Sequence, residues 1–302
     1  LKNKRFGTTT HPDYERLQSL LDQGNDDPHI HAIDMPYRLT STWQDQECEI
    51  GLWERDSELV AWAVFQPPWF NVDYAMHPSL QGTLLETEIF SWGKEQMSKY
   101  ANDTWSSFYG SFEFASDAPL AQITKKHLEA QGFQPFDWIV IQFTLDLKQN
   151  LPSPQLKSGF QIRPLRGISE AQVYVDLHRA AFDSNKMTLS WRERTLTHPD
   201  YRPELDLVVV NPNDEPVGFC ICWTWQDAGH IEPLGVHPDH QGQGLGKALE
   251  LTAAQILRDY GINTLHADHV SFNEKAIALS RKTGFKQFQN ALRYYVPISP
   301  GN

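Results

Sequence analysis

The stretch Leu234-Gly235-Val236-His237-Pro238-Asp239-His240-Gln241-Gly242-Gln243-Gly244-Leu245-Gly246-Lys247 constrains this chain more than any other. An apolar strand end passes through a short polar turn into a glycine-rich helix start. The helix that follows has an apolar stripe at Leu245, Leu249, Ala253, Ile256 and Tyr260, close to helical spacing. Gly261 stands where a C-terminal stop is expected. A helix start leaves backbone N–H groups without internal partners and is the positive end of the dipole. Glycines let an anion approach those groups, so the stretch reads as a phosphate cradle.

Two common cradles fail to fit. A P-loop needs Ser or Thr after Gly-Lys, and Ala248 follows Lys247. A dinucleotide fingerprint needs a third glycine where Lys247 stands, and its loop follows a first strand. Here strands are read at Phe160–Leu165, Leu205–Val210, Val217–Trp225 and His230–Val236, so the loop follows the fourth. Two helices, Ser169–Phe182 with Ser169 as N-cap and Thr188–Thr197, lie between the first two strands. A fifth strand at Ile262–His269, a helix at Asn273–Lys282 and closing strands at Phe285–Pro297 complete the order.

The chain also repeats itself. His77-Pro78-x-x-Gln81-Gly82 returns as His237-Pro238-x-x-Gln241-Gly242. Glu58-Leu-Val-Ala-Trp62 returns loosely as Glu215-Pro-Val-Gly-Phe219, and Gln131-Gly-Phe133 as Thr283-Gly-Phe285. In the first copy, helices are read at Asp13–Gly24, from Gly82 to Tyr100 and at Ala118–Ala130. Strands are read at Glu49–Glu54, Glu58–Phe65, Val72–Met76, Trp105–Phe114 and Trp138–Leu147. Pro67-Pro68-Trp69-Phe70 is an apolar turn, read as a domain interface. Leu84 and Glu86 stand where Gly244 and Gly246 stand, so the first cradle is degenerate. The Pro- and Ser-bearing stretch Lys148–Gly159 reads as a linker, dividing the chain into 1–150 and 151–302.

The Gln241-x-x-Gly244-x-Gly246 spacing resembles the GNAT superfamily of acyl-CoA-dependent N-acyltransferases. The strand order and the Asn273-x-x-Ala276-x-x-Leu279-x-x-x-x-Gly284-Phe285 run, similar to that family's second cofactor motif, extend the resemblance over 160–297. The tandem arrangement looks like the mycothiol synthase group. The fold implied is α/β (α+β): tandem GNAT folds, each a mixed, mostly antiparallel sheet flanked by helices, the first copy degenerate. The resemblance implies acetyl-CoA as co-substrate and no metal. The acetyl group passes from the thioester to a small-molecule amine by direct attack in a ternary complex. Cofactor contacts fall on Leu234, Gly235, Val236, Gln241, Gly242, Gln243, Gly244, Leu245, Gly246, Lys247, Asn273 and Ala276. His230 stands where members of the family carry a glutamate base, eleven residues before Gln241, and Glu232 lies two further on. By period two, His230, Glu232 and Leu234 are expected on one face, with Glu232 favoured slightly as the base. Asp268, at the end of the fifth strand, is the candidate for contact with a cationic substrate. Ser280 replaces the family's thiolate-protonating tyrosine, which keeps open a second class, a non-catalytic acyl-CoA sensor.

A formal net charge of −12 with no basic cluster argues against a nucleic-acid partner. No apolar run long enough to span a membrane and no N-terminal signal segment is read, so a cytoplasmic protein is expected. Cys220 and Cys222 are read on opposite faces of one strand, unable to bridge, and with Cys48 as free thiols of a reducing compartment.

Overall fold

In a computed structural model, the described residues are 2–5, 14–22, 35–40, 49–66, 69–100, 109–115 and 120–297. Cys48, Pro67, Pro68, the first residue of the helix read from Asp13 and the start of the strand read from Trp105 lie outside them. The elements run β1 (Lys2–Arg5), α1 (Tyr14–Asp22), α2 (Met35–Leu39), β2 (Glu49–Arg55), β3 (Glu58–Gln66), β4 (Asn71–Met76), α3 (Leu84–Tyr100), β5 (Tyr109–Ala115), α4 (Ala121–Ala130) and β6 (Gln134–Asp146). The same order then returns: β7 (Gln161–Pro164), α5 (Ala171–Phe182), α6 (Leu189–Thr197), β8 (Asp206–Val210), β9 (Pro216–Trp225), β10 (Ala228–Val236), α7 (Leu245–Asp259), β11 (Thr264–Val270), α8 (Glu274–Thr283) and β12 (Lys286–Pro297). No helix among the described residues is long and apolar enough to cross a membrane.

The chain packs as two units, 1–140 with 289–302, and 141–288. In the first, the strand order is β1-β2-β3-β4-β5-β12. The pairs are antiparallel except β4–β5, which is parallel. In the second, the order is β6-β11-β10-β9-β8-β7, with β10–β11 parallel and β10–β9, β9–β8 and β8–β7 antiparallel. These are the mixed, mostly antiparallel sheets that the sequence implies. The closing strand of each unit comes from the other sequence copy. β12 pairs with β5 of the first copy from Ala291↔Ala115 to Pro297↔Tyr109. The part of β6 in the second unit carries Phe143 and Leu145 into that unit's core, beside Leu249, Leu265 and Phe285.

Helix α7 shows why the second core holds. Leu245, Leu249 and Leu257 are buried, each contributing about 1.5–3 kcal/mol on removal from water. Tyr260 departs from the expected stripe: α7 ends at Asp259, and Tyr260 is its exposed C-cap. Gly261 follows with φ +83°, as a helix stop requires. Ser169 is not the cap of α5. The chain first makes a 3-10 turn at Gly167–Glu170, and Ser169 Oγ donates back to the Arg166 carbonyl. Glu170 occupies the cap position, its carboxylate gripped by Arg163 at 2.7 and 2.9 Å. Cys220 and Cys222 share a face, because residues two apart on a strand must; their sulfurs lie 3.9 Å apart, buried and free.

The exchanged strand carries a prediction. Truncation after Phe288 removes nothing of the first copy, yet it should strip β5 of its antiparallel partner and leave it only the short pairing with β4. Hydrogen exchange at residues 109–115 should accelerate by orders of magnitude in the truncated protein. Unchanged protection there would contradict the exchange.

Candidate active site

The two repeated turns adopt one geometry. His77 N donates to Val60 O at 2.8 Å, and His237 N to Val217 O at 2.8 Å. Each histidine caps a 3-10 turn, Pro78–Leu80 or Pro238–His240, by accepting the Ser79 or Asp239 amide on Nδ1. Gly82 and Gly242 then turn with φ of +74° and +73°. The copies diverge at the helix start. Gly244 is the N-cap of α7, left-handed at φ +80°, with no side-chain cap. A Cβ at Gly242 or Gly244 would meet nothing within 4 Å, so the space over this helix start is open. In the first copy, Glu86 is buried, accepting from Thr124 Oγ1 at 2.9 Å and lying 2.8 Å from His127 Nδ1. Its carboxylate ties α3 to α4 where the second copy has a glycine. Gly246 has a packing reason: a Cβ there would lie 3.2 Å from Leu279 and 3.7 Å from Leu234.

Around this start, Gln241 ties the turn to the strand, its carboxamide donating to Val236 O at 3.2 Å. Gln243 meets Lys157 Nζ at 3.3 Å. Lys247 is half-buried in the first turn of α7. Asn273 is the N-cap of α8, its Oδ1 accepting the Ala276 amide at 3.2 Å.

Strand β10 carries the candidate base. It pairs with β11 only from Ala228↔Thr264 to His230↔His266, although both strands run on. Past His230 the pair splays. Leu234, Gly235 and Val236 keep their ladder to β9 alone, which leaves a backbone edge toward the splay. A bulge interrupts that ladder between Ile231 and Leu234 at the cis Glu232–Pro233 peptide. It corrects the expected face. Glu232 Oε2 lies 3.8 Å from His230 Nδ1, so these two do share a side. Leu234 packs on Gly246 and the α7 core, as Ile231 does, because the extra residue inverts the alternation. His230 is buried, whereas the Glu232 side chain is 32% exposed. Asp268 on β11 accepts from Gln142 at 3.4 Å.

The polar partners of Ser280 are not apparent from the sequence. Ser280 is fully buried, with its hydroxyl 2.7 Å from His269 Nε2 and 3.5 Å from Glu250 Oε1. Glu250 also meets Thr283 Oγ1 at 2.5 Å. Burial pushes the Glu250 carboxyl up to about 7, against the hydrogen bonds from Thr283 and Ser280. Burial, with His230 nearby, pushes His269 down to about 4, so its imidazole is neutral. Tyr294 and Tyr295, in the first unit, are packed aromatics: Tyr294 donates to Glu129 at 3.4 Å, and Tyr295 meets Phe136 at a tilt of 40°, ring centres 4.5 Å apart.

Comparison with known proteins finds a family match within the second half of the chain. Residues 172–285 match the acetyltransferase (GNAT) family. A mycothiol acetyltransferase of Paenarthrobacter aurescens (strain TC1) is 30% identical over 156 residues, 48% of this chain and 48% of that protein. Another, of Arthrobacter sp. (strain FB24), is 23% identical over 242 residues, 74% of this chain and 69% of that protein. The chain thus spans about half the length of the first of these relatives. Among solved structures, a GCN5-related N-acetyltransferase from Sphaerobacter thermophilus superposes with a TM-score of 0.68 at 19% identity, over 99% of this chain and 97% of that one. A tandem GNAT protein from the clavulanic acid biosynthesis pathway gives 0.70 at 13% identity, over 100% and 99%.

The buried carboxyl predicts a pH dependence. Between its ordinary 4.5 and about 7, folded Glu250 holds a proton that the unfolded chain has lost. Its contribution to stability therefore falls as pH rises across that window and is flat above it. Glu250→Gln removes this slope. Urea unfolding should find the two proteins alike near pH 4.5 and the variant more stable at pH 8, by up to about 3 kcal/mol. Parallel stability curves would contradict the assignment.

Proposed function

We propose that the second half of the chain, which matches the GNAT acetyltransferase family over residues 172–285, acetylates a small-molecule amine, with residues 151–302 as the active copy and 1–150 as a copy that binds no cofactor. The observation that carries this reading is the uncapped, open start of α7 set beside a splayed strand that bears a half-exposed carboxylate. The pyrophosphate of coenzyme A fits that start: the first amides of α7 point at it, no side chain caps them, and left-handed Gly242 and Gly244 leave the approach clear. Gln241, Gln243, Leu245, Gly246 and Lys247 frame the same turn; Asn273 and Ala276 open the neighbouring α8.

Acetyl-CoA brings an acyl group activated as a thioester. The chain supplies the rest. The free edge at Leu234, Gly235 and Val236 aligns the acyl arm, and an N–H there stabilises the negative charge that develops on the carbonyl oxygen. An alkylammonium near pKa 10 cannot attack until a base takes its proton. Glu232 takes it, directly or through one water, with His230 behind it. Asp268 adds negative charge on the adjacent strand and favours a cationic acceptor. Ser280 is already bonded to His269 and holds α8 to β11. The thiolate, with a pKa of about 8.5, departs without a proton from it. A cytoplasmic setting fits the free thiols of Cys220 and Cys222.

The test uses acetyl-CoA with an amino sugar, an amino acid amide and a polyamine, read by thiol release. Glu232→Gln should lower kcat about 10²-fold or more, the scale of a lost general base, with little change in acetyl-CoA affinity. His230→Ala should act mainly on the amine KM. A crippled His230→Ala beside a near-normal Glu232→Gln gives the base role to the histidine. Acetyl-CoA binding without thiol release for any amine favours the acyl-CoA sensor.

A further inference from the structure

A proline inside a central strand removes a ladder donor and is found at bulges. In β10, Ile231 pairs with Cys222 and Leu234 with Cys220, so Glu232 and Pro233 together face Ile221. A bulged residue lies outside the regular ladder, and its orientation depends on what else holds its backbone. Here the Trp223 indole N–H donates to the Glu232 carbonyl at 2.8 Å. Trp223 is 1% exposed and stands directly across the ladder from His230. His198, from the turn after α6, meets its ring edge-on at 6.3 Å. An indole has a single donor on a rigid bicyclic ring, so a packed tryptophan fixes the place of the oxygen it bonds.

We infer that Trp223 is a positioning residue for acetyl transfer, holding the bulge so that the Glu232 carboxylate faces the splay beside His230. The inference rests on the reading of Glu232 as the base. A buried indole N–H needs an acceptor wherever the ring packs. This one is aimed at the bulged residue that carries the carboxylate. It lies on the face that His230 and Glu232 share, through its cross-strand pairing with His230.

Trp223→Phe keeps a buried aromatic and removes the donor. With the amine of the panel that turns over fastest, kcat should fall roughly tenfold, the scale of one buried hydrogen bond. The acetyl-CoA KM should stay within about twofold, and the acid limb of the kcat–pH profile should move, because the change acts on the base rather than on cofactor binding. Val209→Ala, a core truncation on β8, is the control for lost stability and should leave the profile in place. In a Glu232→Gln background, Trp223→Phe should cost nothing further in kcat. Trp223→Phe that loses thermal stability as Val209→Ala does, without moving the profile, overturns the positioning role and leaves the base reading intact. Glu232→Gln with near-normal kcat overturns the base reading itself, and the inference with it.

Discussion

A β-strand can satisfy its backbone on both edges only while both neighbours stay in register. Strand β10 gives up one edge after His230↔His266, and Pro233 breaks the phase of the other. The rest of the second unit depends on that double departure. The lost pairing opens a wedge between β10 and β11. The bulge divides the strand into two stretches. Up to it, the His230 ring lies 3.8 Å from the carboxylate of the bulged Glu232. After it, Leu234 faces α7 and packs on Gly246, which seats the helix start against the end of the strand. A strand without the bulge would carry Glu232 and Leu234 to the same side, separating the helix start from the strand that bears Glu232.

The two copies differ in few residues at the turn proposed as a phosphate cradle. Both have the histidine-capped 3-10 turn and the left-handed glycine. The difference lies in the next few residues. Gly244 leaves the amides of α7 open, whereas Glu86 places a buried carboxylate against His127 and Thr124 near the start of α3. A carboxylate so placed also repels the anion that an open helix start would attract. The first copy retains the architecture and exchanges closing strands with the second.

Much of this was legible in the sequence, for local reasons. The glycine turn, the order of strands and helices and the tandem repeat rest on glycines, turn residues and periodicity, all of which act over a few residues. The bulge had a sign in Pro233, but strict alternation carried Leu234 onto the wrong face. Helix α2, five residues with a proline at its second position, is too short for any periodicity to announce. The Glu250–Ser280–His269 cluster joins residues from α7, α8 and β11. No local pattern marks Glu250 as buried between hydroxyls. The exchange of β6 and β12 was equally hidden, because strand propensity does not specify a partner.

The central claim is that one of the two turns is a working cradle. It is tested most directly by calorimetric titration of coenzyme A into the full chain, wild type and Gly244→Glu, with thermal melts to confirm that the variant is folded. The account predicts one site per chain in the wild type and none in the variant. Two equivalent sites per chain, or one site that survives Gly244→Glu in a folded protein, would contradict it.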